Sequence, residues 1–186
     1  MTSPSGQKAS RQQATLHSRS LLNPKQKKSP NSKGFHDKAR QYALKLLSYR
    51  GRSVRELQER LKMRGFPEHV VSSAINHLQH TGLINDLSLA DDLKRKAITI
   101  KLLSQGSARR FMLTRGIPKE IVDRTLICDE KQDRENARKL IDRKMRTLKN
   151  YPPEKIKRRL YALLLRKGYS YETIKVVLKE NNLKED

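Results

Sequence analysis

The chain has 186 residues, with 42 Lys and Arg against 19 Asp and Glu, a formal net charge of +23, one cysteine and no tryptophan. That balance is typical of chains whose partner is polyanionic, either a nucleic acid or a protein complex containing one. A lone Cys128 excludes an intramolecular disulfide, no run reaches the ~18 apolar residues of a membrane span, and no apolar segment follows the basic N-terminal residues as a secretory leader requires. A soluble, cytoplasmic, monomeric protein without a membrane partner is expected, and its sparse aromatic content suits several small helical cores better than one large one.

Residues 1–36 contain no acidic residue, while Lys8, Arg11, Arg19, Lys25, Lys27, Lys28 and Lys33 supply seven charges among many Ser, Gln and Pro. This is the composition of a disordered basic tail. An organelle transit peptide is also acid-poor, but the apolar residues here are sparse and form no helical stripe. Taking those seven charges from +23 leaves +16 on residues 37–186.

From Asp37 onward apolar residues recur at spacings of three and four, and no stretch alternates as a strand would, so an all-α fold is predicted. Ala39, Tyr42, Ala43, Leu46 and Leu47 mark a first helix over Lys38 to Tyr49. Ser53 and Glu56 have the spacing of a capping box that opens a second. Asn85 and Asp86 are good N-caps for the next helix, which the spacing extends over Leu89 to Ser104, with Asp91 and Asp92 in its first turn, favourable to the helix dipole. A further first-position helix runs over about Arg134 to Leu148. Gly51, Gly106 and Pro152-Pro153 mark short turns ahead of second helices.

Three glycines reveal a repeat of about 50 residues: Arg64-Gly65-Phe66, Arg115-Gly116-Ile117 and Lys167-Gly168-Tyr169. Eight before each Gly stand Leu57, Ala108 and Leu160, and four before stand Leu61, Met112 and Leu164. Six after stand Val71, Val122 and Ile174, and ten after stand Ile75, Leu126 and Leu178. One amphipathic helix therefore enters each Gly and another leaves it. Gly is suited to a left-handed helix end, Pro67 and Pro118 open the helices that follow, and Ser170 serves as N-cap in the third copy. The chain thus reads as three tandem three-helix repeats, over residues 37–85, 86–130 and 131–186. Such units bury little alone, so they should stack into an elongated array.

The segment Gly82-Leu83-Ile84-Asn85-Asp86, followed by Leu89-Ala90 and a small, basic and apolar run into Arg115-Gly116-Ile117, resembles the RecX family. The resemblance covers about residues 37–180: Ala39, Leu46, Arg50, Ser53, Glu56, Leu57, Leu61 and Gly65 carry it in the first unit, and Leu160, Leu164, Arg166, Gly168, Tyr169 and Ile174 in the third. Leu83, Asn85, Asp86, Ala90 and the three glycines are then its structural motif residues. The chain departs from the pattern in the additional Ile84 and in Ala108, Met112 and Leu113. The resemblance implies a curved, crescent-shaped array that lodges in the groove of a RecA filament on single-stranded DNA and lowers its strand exchange, ATP hydrolysis and co-protease activity in recombination, repair and the SOS response. Composition alone leaves open a second reading, a basic helical-repeat protein that binds DNA or RNA directly, and a third, a scaffold that binds only protein.

No phosphate-binding loop, dinucleotide fingerprint or nucleophile elbow is present, so neither an enzyme nor a small-molecule substrate or cofactor is expected. Asp91 and Asp92 are adjacent and diverge by about 100° on a helix, which excludes a shared catalytic role. His77 and His80 lie three apart, but no third and fourth ligand accompany them at a metal-binding spacing. The cations carry the positive case. Arg64, Arg115 and Lys167 stand one before each Gly, where stabilising a helix C-terminus accounts for them as well as binding does. Arg109, Arg110, Lys155, Lys157, Arg158 and Arg159 have no such structural reason and are the leading candidates for contact with an acidic partner, followed by Lys94, Arg95 and Lys96. Leu163, Leu165 and Tyr161 make one helix apolar on more than one face. Stacking on the second unit is the expected cause, with a protein-binding ridge as the alternative.

Overall fold

The computed structural model describes residues 32–127 and 129–181; the expectations for residues 1–31 and for Cys128 lie outside them. All regular elements among the described residues are helical, as the periodicity predicts. They are α1 (Ser32–Tyr49), α2 (Val54–Met63), α3 (Glu68–His80), α4 (Asp86–Arg95) running into a π-helical turn (Lys96–Ile100), α5 (Gln105–Thr114), α6 (Lys119–Thr125), α7 (Glu130–Leu148), α8 (Pro153–Lys167) and α9 (Tyr171–Glu180).

The buried side chains fall into three clusters. Ala39 and Ala43 of α1, Leu57 and Leu61 of α2, and Val71 and Ile75 of α3 form one. Ala90 and Leu93 of α4, Met112 of α5 and Val122 of α6 form another. Ala137 and Ile141 of α7, Leu160 and Leu164 of α8, and Ile174 and Leu178 of α9 form the third. The positions four and eight before each glycine are fully buried in all three copies, so the 3.6-residue pattern translates directly into packing. Each such Leu contributes about 1.5–3 kcal/mol by leaving water.

Several boundaries differ from the sequence expectation, each for a tertiary reason. Helix α1 begins at Ser32, inside the stretch assigned to the tail, and the His36 ring lies edge-on against His69 of α3 with centroids 6.0 Å apart. Helix α4 does not reach Ser104. It widens into the π turn, Leu102 takes a left-handed φ of +48°, and Ser104 becomes the N-cap of α5. Gly106 consequently lies inside the first turn of α5, and Pro67 and Pro118 occupy cap positions just outside α3 and α6. At the family motif, Leu83 is 54% exposed while Ile84 is 5% exposed and joins the first cluster. Their N–H groups both bond Leu78 O just after the left-handed Gly82, and of the two only Ile84 turns into the core.

Ser53 accepts a hydrogen bond from Glu56 N at 3.1 Å, the expected half of the capping box. The Glu56 carboxylate, however, pairs with Arg50 and Arg52. Ser53 Oγ also donates to Arg115 O, 62 residues away, at 2.8 Å. The next unit repeats this arrangement: Ser104 Oγ accepts from Ser107 N at 3.2 Å and donates to Gly168 O at 2.7 Å. Each hydroxyl thus caps its own helix and binds the helix end of the following unit.

All three repeat glycines are left-handed, at φ +87° for Gly65, +79° for Gly116 and +84° for Gly168. Their surroundings differ. A Cβ on Gly65 would meet nothing within 4 Å, one on Gly116 would stand 2.5 Å from Ser53 Oγ, and one on Gly168 would overlap Ser107 Oγ. Gly65→Ala should therefore cost only the left-handed penalty of about 1 kcal/mol, whereas Gly116→Ala and Gly168→Ala should each cost about 3 kcal/mol by also dislodging a hydroxyl from its hydrogen bonds. Urea unfolding of the three variants checks the order, and equal losses at all three positions would refute the proposed close approach.

Candidate functional site

The predicted cations separate into those occupied by the fold and those on an open surface. Arg115 reaches back to donate to Gly51 O at 2.9 Å and lies 3.7 Å from Glu56. Lys167 does the same one unit later, donating to Lys101 O at 2.5 Å. Burial holds the Lys167 pKa below the ordinary lysine value, assisted by Lys101 and Arg166. Arg64, with no unit before it, stacks on the Tyr42 ring at 5.7 Å. Position one before the glycine is thus a joint residue in the second and third units, and Arg115 and Lys167 are largely withdrawn from partner contact.

Two carboxylates complete these joints. Asp86 accepts from Val54 N at 3.0 Å, and Asp133 from Gln105 N at 2.9 Å. Asn85 caps α4 as expected, accepting from Leu87 N and Ser88 N. Asp86 instead satisfies the first N–H of α2, because α4 starts beside that helix end. Burial raises the pKa of Asp86 above the ordinary carboxylate value against the opposing effect of the Val54 N–H, and Asp133 is raised by burial in the same way. Tyr169, buried, donates from its hydroxyl to Leu102 O at 3.1 Å, which holds that left-handed residue in place.

The leading candidates have unequal surroundings. Arg109 is paired with Asp123 of α6, whose carboxyl it holds below the usual range, and Arg110 donates to Ser107 Oγ at 2.7 Å. Both thus have the structural partners that sequence spacing did not reveal. Arg95 pairs with Asp92 at 2.8 Å, and Lys94 and Lys96 are exposed near the end of α4. On α8, Lys155, Arg158 and Arg159 are exposed, and among the described residues none of them is paired with a carboxylate. Lys157 lies among them, partly buried. Lys155 and Arg159 sit over the Tyr151 ring at 4.8 and 4.1 Å. The tyrosine hydroxyl is held below its ordinary pKa by Arg159 first, then by Lys155 and Lys144. Tyr151 went unnoticed in the sequence, although its spacing of four and eight to these cations was legible.

Leu165 is 48% exposed and is not covered by the second unit, contrary to the stacking expected of it. Leu164 is the buried member of that run, and Leu163 is half-buried. No helix among the described residues is long and apolar enough to cross a membrane.

Successive three-helix units, joined through a serine and a glycine and bearing a cationic helix, define a helical-repeat protein. Residues 39–78 match the family model for the first three-helix domain of RecX, and residues 131–178 that for the third. The regulatory protein RecX of Clostridium botulinum (strain Alaska E43) is 30% identical over 77% of this chain and 68% of its own length, and that of Streptomyces coelicolor is 32% identical over 72% of both. A crystal structure of regulatory protein RecX superposes with a TM-score of 0.62 at 25% identity over 80% of this chain and 73% of that one. The RecX of Lactobacillus salivarius shares the fold, with a TM-score of 0.64 at 24% identity over 81% of this chain and 99% of the other. The chain belongs to the RecX family of regulatory proteins, which is not a family of enzymes.

The joint carboxylates give a pH signature. A carboxyl whose pKa is higher folded than unfolded binds more protons when folded, so its contribution to stability is greatest in acid and is lost as pH rises through the folded value. Asp86→Asn keeps an oxygen for Val54 N–H and has no charge to desolvate. The stability of this variant relative to the parent should therefore improve between about pH 3 and pH 7, measured by urea unfolding at a series of pH values. A constant difference across that range would show that burial does not penalise the Asp86 charge.

Proposed function

We propose that this protein regulates a RecA recombinase by binding its filament on single-stranded DNA, and that it mainly inhibits the filament's ATPase, strand-exchange and co-protease activities in DNA repair and the SOS response. Membership of the RecX family carries this reading. We assign the contact first to α8, an assignment supported by Lys155, Arg158 and Arg159, which are exposed and have no carboxylate partner among the described residues. A filament on DNA offers phosphates and acidic side chains, and cations not already paired with a carboxylate meet them without first breaking an ion pair. Arg109 and Arg110 belong to the same proposal but rank behind α8, because Asp123 and Ser107 already engage them. Lys157, Lys94, Arg95 and Lys96 extend the cationic surface, while Arg64, Arg115 and Lys167 serve the fold first.

The test is a RecA ATPase assay on single-stranded DNA with this protein titrated in. The parent should inhibit, and Lys155→Glu combined with Arg158→Glu should weaken inhibition by about tenfold, since each reversal replaces an attraction with a repulsion. Arg64→Gln should change inhibition little. If the parent leaves RecA untouched yet shifts naked single-stranded DNA with a steep salt dependence, direct nucleic-acid binding takes the place of this reading.

A further inference from the structure

Helices α7 and α8 enclose an open groove of about 590 Å³ whose character differs from that of the cationic face around Lys155 and Arg158. Its floor is aliphatic, formed by Leu148 from the end of α7 and by Ala162, Leu163 and Leu165 from α8. Lys144, Arg159 and Arg166 form the rim, and no carboxylate lines it among the described residues. Positions 159, 162, 163 and 166 share one face of a helix at the spacing of i, i+3, i+4 and i+7, Leu165 flanks that face beside Ala162, and α7 supplies Lys144 and Leu148. At one end Arg159 is held over the Tyr151 ring at 4.1 Å, with Lys155 over the same ring. That cation is thereby positioned by stacking and still directed at the groove.

We propose that this groove docks an amphipathic acidic segment of a protein partner, with its apolar side chains on Leu163 and Leu165 and its carboxylates on Lys144, Arg159 and Arg166. The groove contact rests on its own chemistry; it adds a protein-binding site to the filament-binding reading and does not depend on RecA being the partner. Charge complementarity requires an acidic occupant. The aliphatic floor selects protein over nucleic acid, because single strands gain affinity by stacking bases on exposed aromatic faces. Here the nearby aromatic ring is already stacked by two cations. Leucines beside carboxylates at helical spacing satisfy both demands, as in other helix-in-groove contacts.

The test is fluorescence anisotropy with a short labelled peptide carrying Leu and Glu on one helical face. Two counterpart peptides, one with every Glu replaced by Gln and one with every Leu replaced by Ser, and a labelled oligo-dT serve as comparisons. The full-length protein should bind the Leu/Glu peptide at least about tenfold more tightly than either counterpart. Leu165→Ser, an exposed change that circular dichroism and urea unfolding should show to leave the fold intact, and separately Arg166→Glu, should each remove most of that preference. Lys155→Glu combined with Arg158→Glu should leave the preference in place while weakening RecA inhibition, which separates failure of the groove from failure of the filament-binding reading. Equal binding of the Leu/Glu and Ser/Glu peptides overturns the proposal. So does an unchanged affinity in Leu165→Ser, or a loss on Leu165→Ser that falls on oligo-dT and not on the peptide.

Discussion

A serine hydroxyl facing a glycine Cα is the contact on which this architecture turns. At Ser53 with Gly116, and again at Ser104 with Gly168, the oxygen caps its own helix and donates to the carbonyl of the next unit's turn. A Cβ at Gly116 would stand 2.5 Å from Ser53 Oγ, and one at Gly168 would stand 3.0 Å from Ser104 Oγ and overlap Ser107 Oγ beside it. The left-handed backbone at the glycine is therefore required twice over, once to end a helix and once to admit the neighbouring hydroxyl. Around this contact the remaining joint groups take fixed places: Asp86 and Asp133 on the preceding helix N-terminus, and Arg115 and Lys167 on the preceding loop carbonyls.

That geometry also divides the charge. Arg115 and Lys167 at the joints are engaged by backbone carbonyls, and Arg95, Arg109 and Arg138 pair with Asp92, Asp123 and Glu180. On α8, by contrast, Lys155 and Arg159 stand four apart, where like charges cost a few tenths of a kcal/mol. Tyr151 offsets this, since a cation over an exposed aromatic face gains about 0.5–1 kcal/mol. The ring allows two cations to share one face of a helix, and this creates a surface that the fold tolerates but does not itself use.

Much of this was legible in the sequence, and the remainder has a common cause. The glycine repeat, the helices flanking it, the buried positions four and eight before it, and the caps Ser53, Asn85 and Ser170 all follow from patterns within about a dozen residues. Ser53 and Ser104 stand 12 before Gly116's and Gly168's own counterparts, Gly65 and Gly116, a regularity that was present but carried no meaning without a neighbouring unit. Reach across units was not legible: Asp86 caps α2 instead of α4, and Arg115 and Lys167 bond carbonyls 64 and 66 residues back. The Arg109 pairing with Asp123, 14 residues on, hid a structural role behind an apparent binding one. That Ile84 and not Leu83 enters the core follows a left-handed Gly82 that local periodicity could not register. For the candidate surface, the sequence showed where cations were concentrated but not which of them the fold had already engaged.

The joints are chiefly polar, while the apolar clusters remain separate within each triple of helices. Opening a joint breaks hydrogen bonds that run between the clusters and not within them. Amide hydrogens at Val54 and Gln105, whose bonds cross the joints, can exchange by such openings while the amides inside each cluster wait for global unfolding.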